Sequence, residues 1–131
     1  MRRADVTQSE FFSYRTLEQR IPPSHPLRKL RALVDSILAT LHGDFEALYA
    51  KTGRPSIPPE RLLRASLIQT LYSIRAERQL VQHIDYNLLY RWFVGLSMDD
   101  ELWNHSVFSK SRDPLFAHEV VESFFGEIAG L

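Results

Sequence analysis

The chain has 131 residues, 44% of them apolar, and no cysteine, which suits one domain with a core of its own and excludes a disulfide framework or a cysteine-based zinc site. Sixteen Lys and Arg balance sixteen Asp and Glu, so no global charge excess marks it as a non-specific binder of polyanions. No apolar run approaches the roughly 18–20 residues that cross a bilayer, and the start, MRRADVTQSEFF, has basic residues without the apolar stretch of a signal peptide; both point to a cytoplasmic chain with no membrane partner.

Residues 1–26 read as an N-terminal arm and 27–131 as a helical domain. In the arm, Phe11, Phe12 and Tyr14 form an aromatic cluster expected to tuck against the helices, Leu17 to Arg20 suits one helical turn, and Pro22, Pro23 and Pro26 end the segment. From Leu27 to His42 the apolar residues Leu27, Leu30, Leu33, Val34, Ile37, Leu38 and Leu41 follow helical spacing. Ser24 is placed to cap this helix and Gly43 to end it. Arg28, Lys29 and Arg31 lie near its start, where a phosphate or a solvated face fits equally well. Asp44 to Ala50, with Phe45, Leu48 and Tyr49, suits a turn or two of helix.

The stretch Gly53 to Leu115 organises the rest. A turn, Gly53-Arg54-Pro55-Ser56-Ile57-Pro58-Pro59, leads into a helix with Pro59 at its first position, where a missing N–H costs nothing. Leu62, Leu63, Leu67, Ile68, Leu71, Tyr72 and Ile74 cover most of the circumference over Glu60 to Ile74, which predicts the helix around which the others pack. After a break at Arg75-Ala76 comes a segment with Leu80, Val81 and Ile84 on one side and Arg78, Gln79, Gln82 and Asp85 on the other. A third run, Leu88 to Val94, carries Leu88, Leu89, Trp92 and Phe93 and stops at Gly95. The polar turn Ser97 to Glu101 precedes a short polar helix, Asn104 to Arg112. Pro114 then interrupts, and Phe116 to Ile128 forms a last helix whose stripe is Ala117, Val120, Val121, Phe124, Phe125 and Ile128. Phe124, Phe125 and Ile128 sit near the end of the chain, and an uncovered stripe there would drive self-association. The expected fold is all-α, a small helical bundle containing a helix-turn-helix-like module.

Charge is distributed unevenly: residues 1–91 hold 14 Lys and Arg against 9 Asp and Glu, and residues 92–131 hold 2 against 7. Arginines of the first part are expected either to meet phosphates or to pair with the acidic second part. His25, His42, His83, His105 and His118 never fall at the spacing of a helical metal pair. Asp99, Asp100 and Glu101 are consecutive in a turn, whereas metal-dependent phosphoryl transfer needs carboxylates converging from separate elements. No phosphate-cradling loop or nucleophile elbow is present. The expectation is therefore no metal, no cofactor and no small-molecule substrate. Trp92, Phe93 and Trp103 read as core.

DNA is the partner left. A helix-turn-helix puts the N-terminal residues of its recognition helix at base edges, and Asn104, His105, Ser106, Ser109, Lys110 and Arg112 offer suitable groups: Asn for adenine, Lys or Arg for guanine, Ser for base or phosphate. Arg75, Arg78 and Arg91 would contact the sugar-phosphate backbone. On the residues alone, the exposed side of a small helix explains the same pattern.

Three phrases add to this reading: GRPSIPPERLLRASLIQTLYSIRAERQL, DYNLLYRWFVGLSMDD and HSVFSKSR. They resemble the N-terminal domain of bacterial insertion-sequence transposases of the DDE class. In that family a Gly-Arg-Pro turn leads a hydrophobic helix, followed by a Ser-x-Arg-x-Leu-like segment, an Arg-Trp-Phe-x-Gly-Leu block and an Asp-His-Ser-Thr-Phe-Ser-like recognition segment. The resemblance runs from about Ser9 to Phe125; Val107 stands where the family more often has Thr, and Asn104 where Asp is usual. It implies sequence-specific binding to the terminal inverted repeats of an insertion element during DNA transposition and recombination, in the bacterial cytoplasm at the nucleoid. It implies further that the chain, ending where the family continues into an RNase H-like catalytic domain, is a truncated or split product that does not itself cut or join DNA. The rival expectation is a protein–protein module, dimerising or regulating a full-length transposase through the Leu62 to Ile74 helix and the Phe124-Phe125 face.

Overall fold

Prolines and capping side chains set where helices begin. The computed structural model describes residues 15–53 and 56–130, which hold eight α-helices and, among the described residues, no strand. Phe11, Phe12 and Tyr14 lie outside the described residues. The single turn α1 (Leu17–Arg20) starts with a reciprocal capping box: the Gln19 N–H donates to Thr16 Oγ1 at 3.2 Å and the Thr16 N–H to Gln19 Oε1 at 2.9 Å. Helix α2 (Pro26–Thr40) begins at a proline whose fixed φ suits the first helical position. The cap is therefore the residue just before it, His25, whose Nδ1 accepts the Leu27 N–H at 3.1 Å, and not Ser24 as the sequence suggested. Nor does Gly43 end this helix. The axis bends at the buried Leu41 (φ −89°, ψ 2°), and α3 (His42–Thr52) runs on through Gly43 to Gly53, whose φ of +80° makes the actual stop.

Helix α4 (Pro59–Leu71) is the centre of the bundle, as its pattern predicted. Leu62, Leu63, Ala65 and Ile68 are inaccessible to solvent, and the helix packs against the next three helices: α5 (Glu77–Tyr86), α6 (Leu88–Val94) and α7 (His105–Phe116). Its one buried hydroxyl, Ser66 Oγ, donates to the Leu62 carbonyl at 2.9 Å. The helix ends at Leu71, three residues short of Ile74. Ser73 takes a left-handed φ of +54°, with its N–H on the Thr70 carbonyl and the Ile74 N–H on Gln69, the Schellman arrangement usually built on glycine. Leu71 and Tyr72 consequently face solvent.

Only Asn87 separates α5 from α6; its Oδ1 accepts the Tyr90 N–H at 3.2 Å and starts the second helix. Gly95 (φ +98°) closes α6 as expected, and a Cβ there would come within 3.3 Å of the Arg64 guanidinium. Pro114 does not interrupt the chain. It lies inside α7, on the exposed side, and the buried Leu115 together with Phe116 carries the helix two residues beyond it. The last helix, α8 (Glu119–Ala129), packs on α2 and α7. Val121 and Phe124 are buried, and Phe125 stands edge-on to Phe116 and Phe124 at centroid distances of 5.6 and 5.2 Å. The stripe expected to lie open is thus closed within the chain at Phe124 and half-covered at Phe125 and Ile128. Of the two faces that the dimerisation reading relied on, Leu62, Leu63, Ile68 and Phe124 belong to the internal core, while Leu71 and Tyr72 at the end of α4 are exposed and Phe125 is half-buried.

The described part of the N-terminal arm is fastened to this bundle. Leu17 and Ile21 are buried, and α1 packs on α6. Glu18 takes the Trp92 indole N–H at 2.5 Å and an ion pair from Arg28, whose guanidinium also reaches the carbonyls of Glu18, Ile21 and Pro22. Arg28 and Arg31 stack over the Trp92 ring at 5.0 and 4.7 Å. These two arginines therefore serve the fold rather than a phosphate. The Trp92 and Arg28 hydrogen bonds hold the Glu18 carboxyl below its ordinary value of 4.5. A depressed carboxylate contributes stability above its unfolded pKa and loses it as pH falls through the folded one. Acid titration below about pH 4.5 should therefore release α1 from Trp92 before global unfolding, read as a change in tryptophan emission that Glu18→Gln abolishes.

Candidate nucleic-acid interface

The nine residues proposed from sequence to touch DNA fall into three settings. On α7, Asn104 is the N-cap: its Oδ1 accepts the Val107 N–H at 2.9 Å, so one of its two hydrogen-bonding ends is already engaged. Arg112 points away from solvent toward the start of α5. It pairs with Glu77 at 2.7 Å and Asp113 at 3.0 Å and lies over the Phe108 and Phe116 rings. That contact holds the Glu77 carboxyl below its usual range, aided by a backbone hydrogen bond. Ser109 is half-buried, and the exposed edge of α7 reduces to Ser106, Val107, Lys110, Asp113 and Pro114. Three of these, Val107, Lys110 and Pro114, line a cleft of about 490 Å³ whose opposite wall is α3, with Leu48 and Thr52.

The second setting is the turn into α5. Arg75 and Arg78 are exposed and have no ion pair among the described residues. Arg78 approaches His105 Nε2 at 3.3 Å, so the first turns of α5 and α7 share one surface. Arg61, Arg64 and Arg112 all have carboxylate neighbours: Arg61 reaches Asp100 in the acidic C-terminal part at 4.0 Å, Arg64 pairs with Asp35 within the basic part, and Arg112 pairs with Glu77 across the two parts and with the adjacent Asp113.

Arg91 has a third setting, and it departs from the exposed one that a backbone contact needs. Its side chain is 8% exposed. The guanidinium donates to the Asp85 carboxylate at 3.0 Å and to the carbonyls of Asp85, Ser97 and Asp100 at 2.8–3.1 Å, tying α5, α6 and the 97–100 turn together. Asp100 in turn accepts the Ser97 N–H at 2.8 Å, which makes it the turn-forming residue the sequence suggested. Trp92 and Phe93 are core, and Trp103 stacks on the buried Phe108 at 5.3 Å.

A transposase domain family (DUF772) matches residues 15–114, from the start of α1 into α7. The chain belongs to this family. No curated protein and no solved structure matches it. The transposase domain is all-helical over its described residues, has no group of three or more potential metal ligands among them, and has no helix long and apolar enough to cross a membrane. The outer side of α5 went unmarked apart from Arg78: Gln79, Gln82, His83 and Tyr86 are all exposed there, Tyr86 to 80%. Two glutamines on the polar side of a strongly amphipathic segment were the available signal.

Proposed function

We propose that this domain binds double-stranded DNA at the terminal inverted repeats of an insertion element, in the bacterial cytoplasm at the nucleoid, and holds it for strand chemistry carried out by a separate catalytic domain. Family membership is what carries the reading. The exposed cations Arg75 and Arg78, at the turn into α5, and Lys110, further along α7 beside the cleft to α3, have no carboxylate partner among the described residues and supply a means: phosphates would displace only water and counterions there. A helix-turn-helix-like use of α4 to α7 fits the same arrangement, with the buried helix α4 as support. The interaction-module reading is less favoured, because most of the apolar residues it needs, Leu62, Leu63, Ile68 and Phe124 among them, are taken up by the core and leave Leu71, Tyr72 and part of Phe125 at the surface. The surface cations predict a salt slope. Three phosphate contacts give a fall of log K with log salt of about 3, and replacing Arg75 or Lys110 with alanine should lower that slope by about 1 each. Fluorescence titration of a labelled duplex across a salt series reads this; affinity indifferent to salt, or no binding by the parent at low salt, rules the DNA reading out.

A further inference from the structure

The helix-turn-helix expectation placed α7 in the groove. The geometry points to α5. A major groove about 12 Å wide accepts one helix, and that helix must present a projecting face with uncommitted side chains. Helix α7 offers a poorer one: Asn104 caps, Arg112 is clamped to Glu77 and Asp113, and the exposed polar side chains left are Ser106 and Lys110, the latter beside a cleft whose other wall is α3. Helix α5 has one. Its buried side is Leu80 and Ile84, and opposite them Arg78, Gln82 and Tyr86 follow one another at four-residue steps with Gln79 alongside, all exposed. Each of its two carboxylates is countered by an arginine, Glu77 by Arg112 and the exposed Asp85 by Arg91, which reduces their opposition to a phosphate. The turn before it, Tyr72 to Ala76, is short, is shaped by the left-handed Ser73 and carries Arg75.

Resting on the DNA reading above, we propose that the outer face of α5 is the surface that reads base pairs in the major groove of double-stranded DNA. Gln79 and Gln82 are its specificity-determining residues. A glutamine amide donates and accepts at once, matching N6 and N7 of adenine in two hydrogen bonds. Arg75 and Arg78 flank them and meet phosphates, and the Tyr86 hydroxyl, one turn beyond Gln82, meets the backbone at the other end. Glu101, across a shallow cleft from Gln82, bounds the surface with negative charge.

The test uses the full 131-residue chain and a duplex library with a randomised centre, enriched by retention on the protein and sequenced. The parent should enrich a motif containing adenines. Gln82→Ala should flatten preference at one base pair by about 5- to 150-fold, and Gln82→Arg should move that position from adenine to guanine. Ser106→Ala and Lys110→Ala should lower affinity for all sequences and leave the motif unchanged. All three positions are exposed, and unchanged thermal melts confirm folding. Enrichment that ignores Gln79 and Gln82 but shifts with Ser106 or Lys110 overturns the α5 assignment while the DNA reading stands. Binding of every duplex without any motif also overturns the assignment. A parent that retains no duplex at low salt removes the DNA reading itself and the assignment with it.

Discussion

Trp92→Ala should lower the unfolding free energy by about 3–5 kcal/mol, the range for deleting a buried aromatic side chain. Trp92 is 5% exposed, sits on α6 against α1 and α2, and has three polar neighbours that depend on it. Removing the ring opens a cavity, takes away the surface on which Arg28 and Arg31 stack, and deprives Glu18 of a hydrogen-bond donor. Domains of this size are stable by roughly 5–15 kcal/mol, so a measurable fraction of the variant should be unfolded at growth temperature. Trp92→Phe separates the contributions: it keeps an aromatic face for the two arginines and loses the N–H, and should cost about 1–2 kcal/mol less any repacking gain. Urea denaturation of the three proteins decides the matter. A Trp92→Ala chain that unfolds at the parent midpoint and yet loses DNA would mean that the indole works at the interface rather than in the core.

What could be read from the sequence divides along a physical line. Periodicity located the longer helices α2, α4, α5 and α8, because burial of one face imposes a 3.6-residue rhythm that survives in one dimension, while the single turn α1 and the polar α7 were read without it. Pro59 and Gly95 marked a start and a stop, since their backbone preferences act locally; Pro26, read only as the end of the arm, begins α2, and Gly53, read only as the opening of a turn, stops α3. The failures came where tertiary packing outweighed a local preference. Gly43 can end a helix, yet Leu41 and Phe45 are both buried and hold the chain helical through it. Pro114 removes one N–H at an exposed position, and the anchoring of Leu115 and Phe116 outweighs that loss. Ser73 ends α4 in a conformation that glycine would adopt more easily, so no glycine announced the stop.

The candidate site was less legible for a related reason. An arginine looks the same in sequence whether it projects into solvent or is ringed by carbonyls. Arg75 and Arg78 are exposed, and Arg91 and Arg112, equally basic in the sequence, are held inside by Asp85 and Glu77. Which carboxylate neutralises which arginine depends on helix packing that the chain order does not disclose: Glu77 and Arg112 are 35 positions apart. The polar side of α5 was visible as a pattern, but its importance rests on the two carboxylates of that helix being countered by arginines.

Arg91 offers the sharpest contrast between a fold residue and a DNA contact. Its guanidinium fills four hydrogen-bonding roles that no other side chain is placed to take over. Removing it leaves the carbonyls of Asp85, Ser97 and Asp100 without these donors, and each group left buried and unpaired costs about 1–3 kcal/mol. Water can reach part of this region, because the Asp85 side chain is 43% exposed, so the total for Arg91→Ala should be about 2–4 kcal/mol, below the figure for a fully buried pair. Arg91→Lys should recover little, since a point charge cannot reproduce the planar fork that spans α5 and the 97–100 turn at once. A backbone contact behaves differently: Arg75→Ala should leave the melt unchanged and lower DNA affinity and its salt slope. Paired measurements of melting and duplex affinity on Arg75→Ala, Arg91→Ala and Arg91→Lys read the two roles apart. If Arg91→Ala melts with the parent and loses one unit of salt slope, its guanidinium leaves the 97–100 turn in solution and the phosphate role first expected of it is restored.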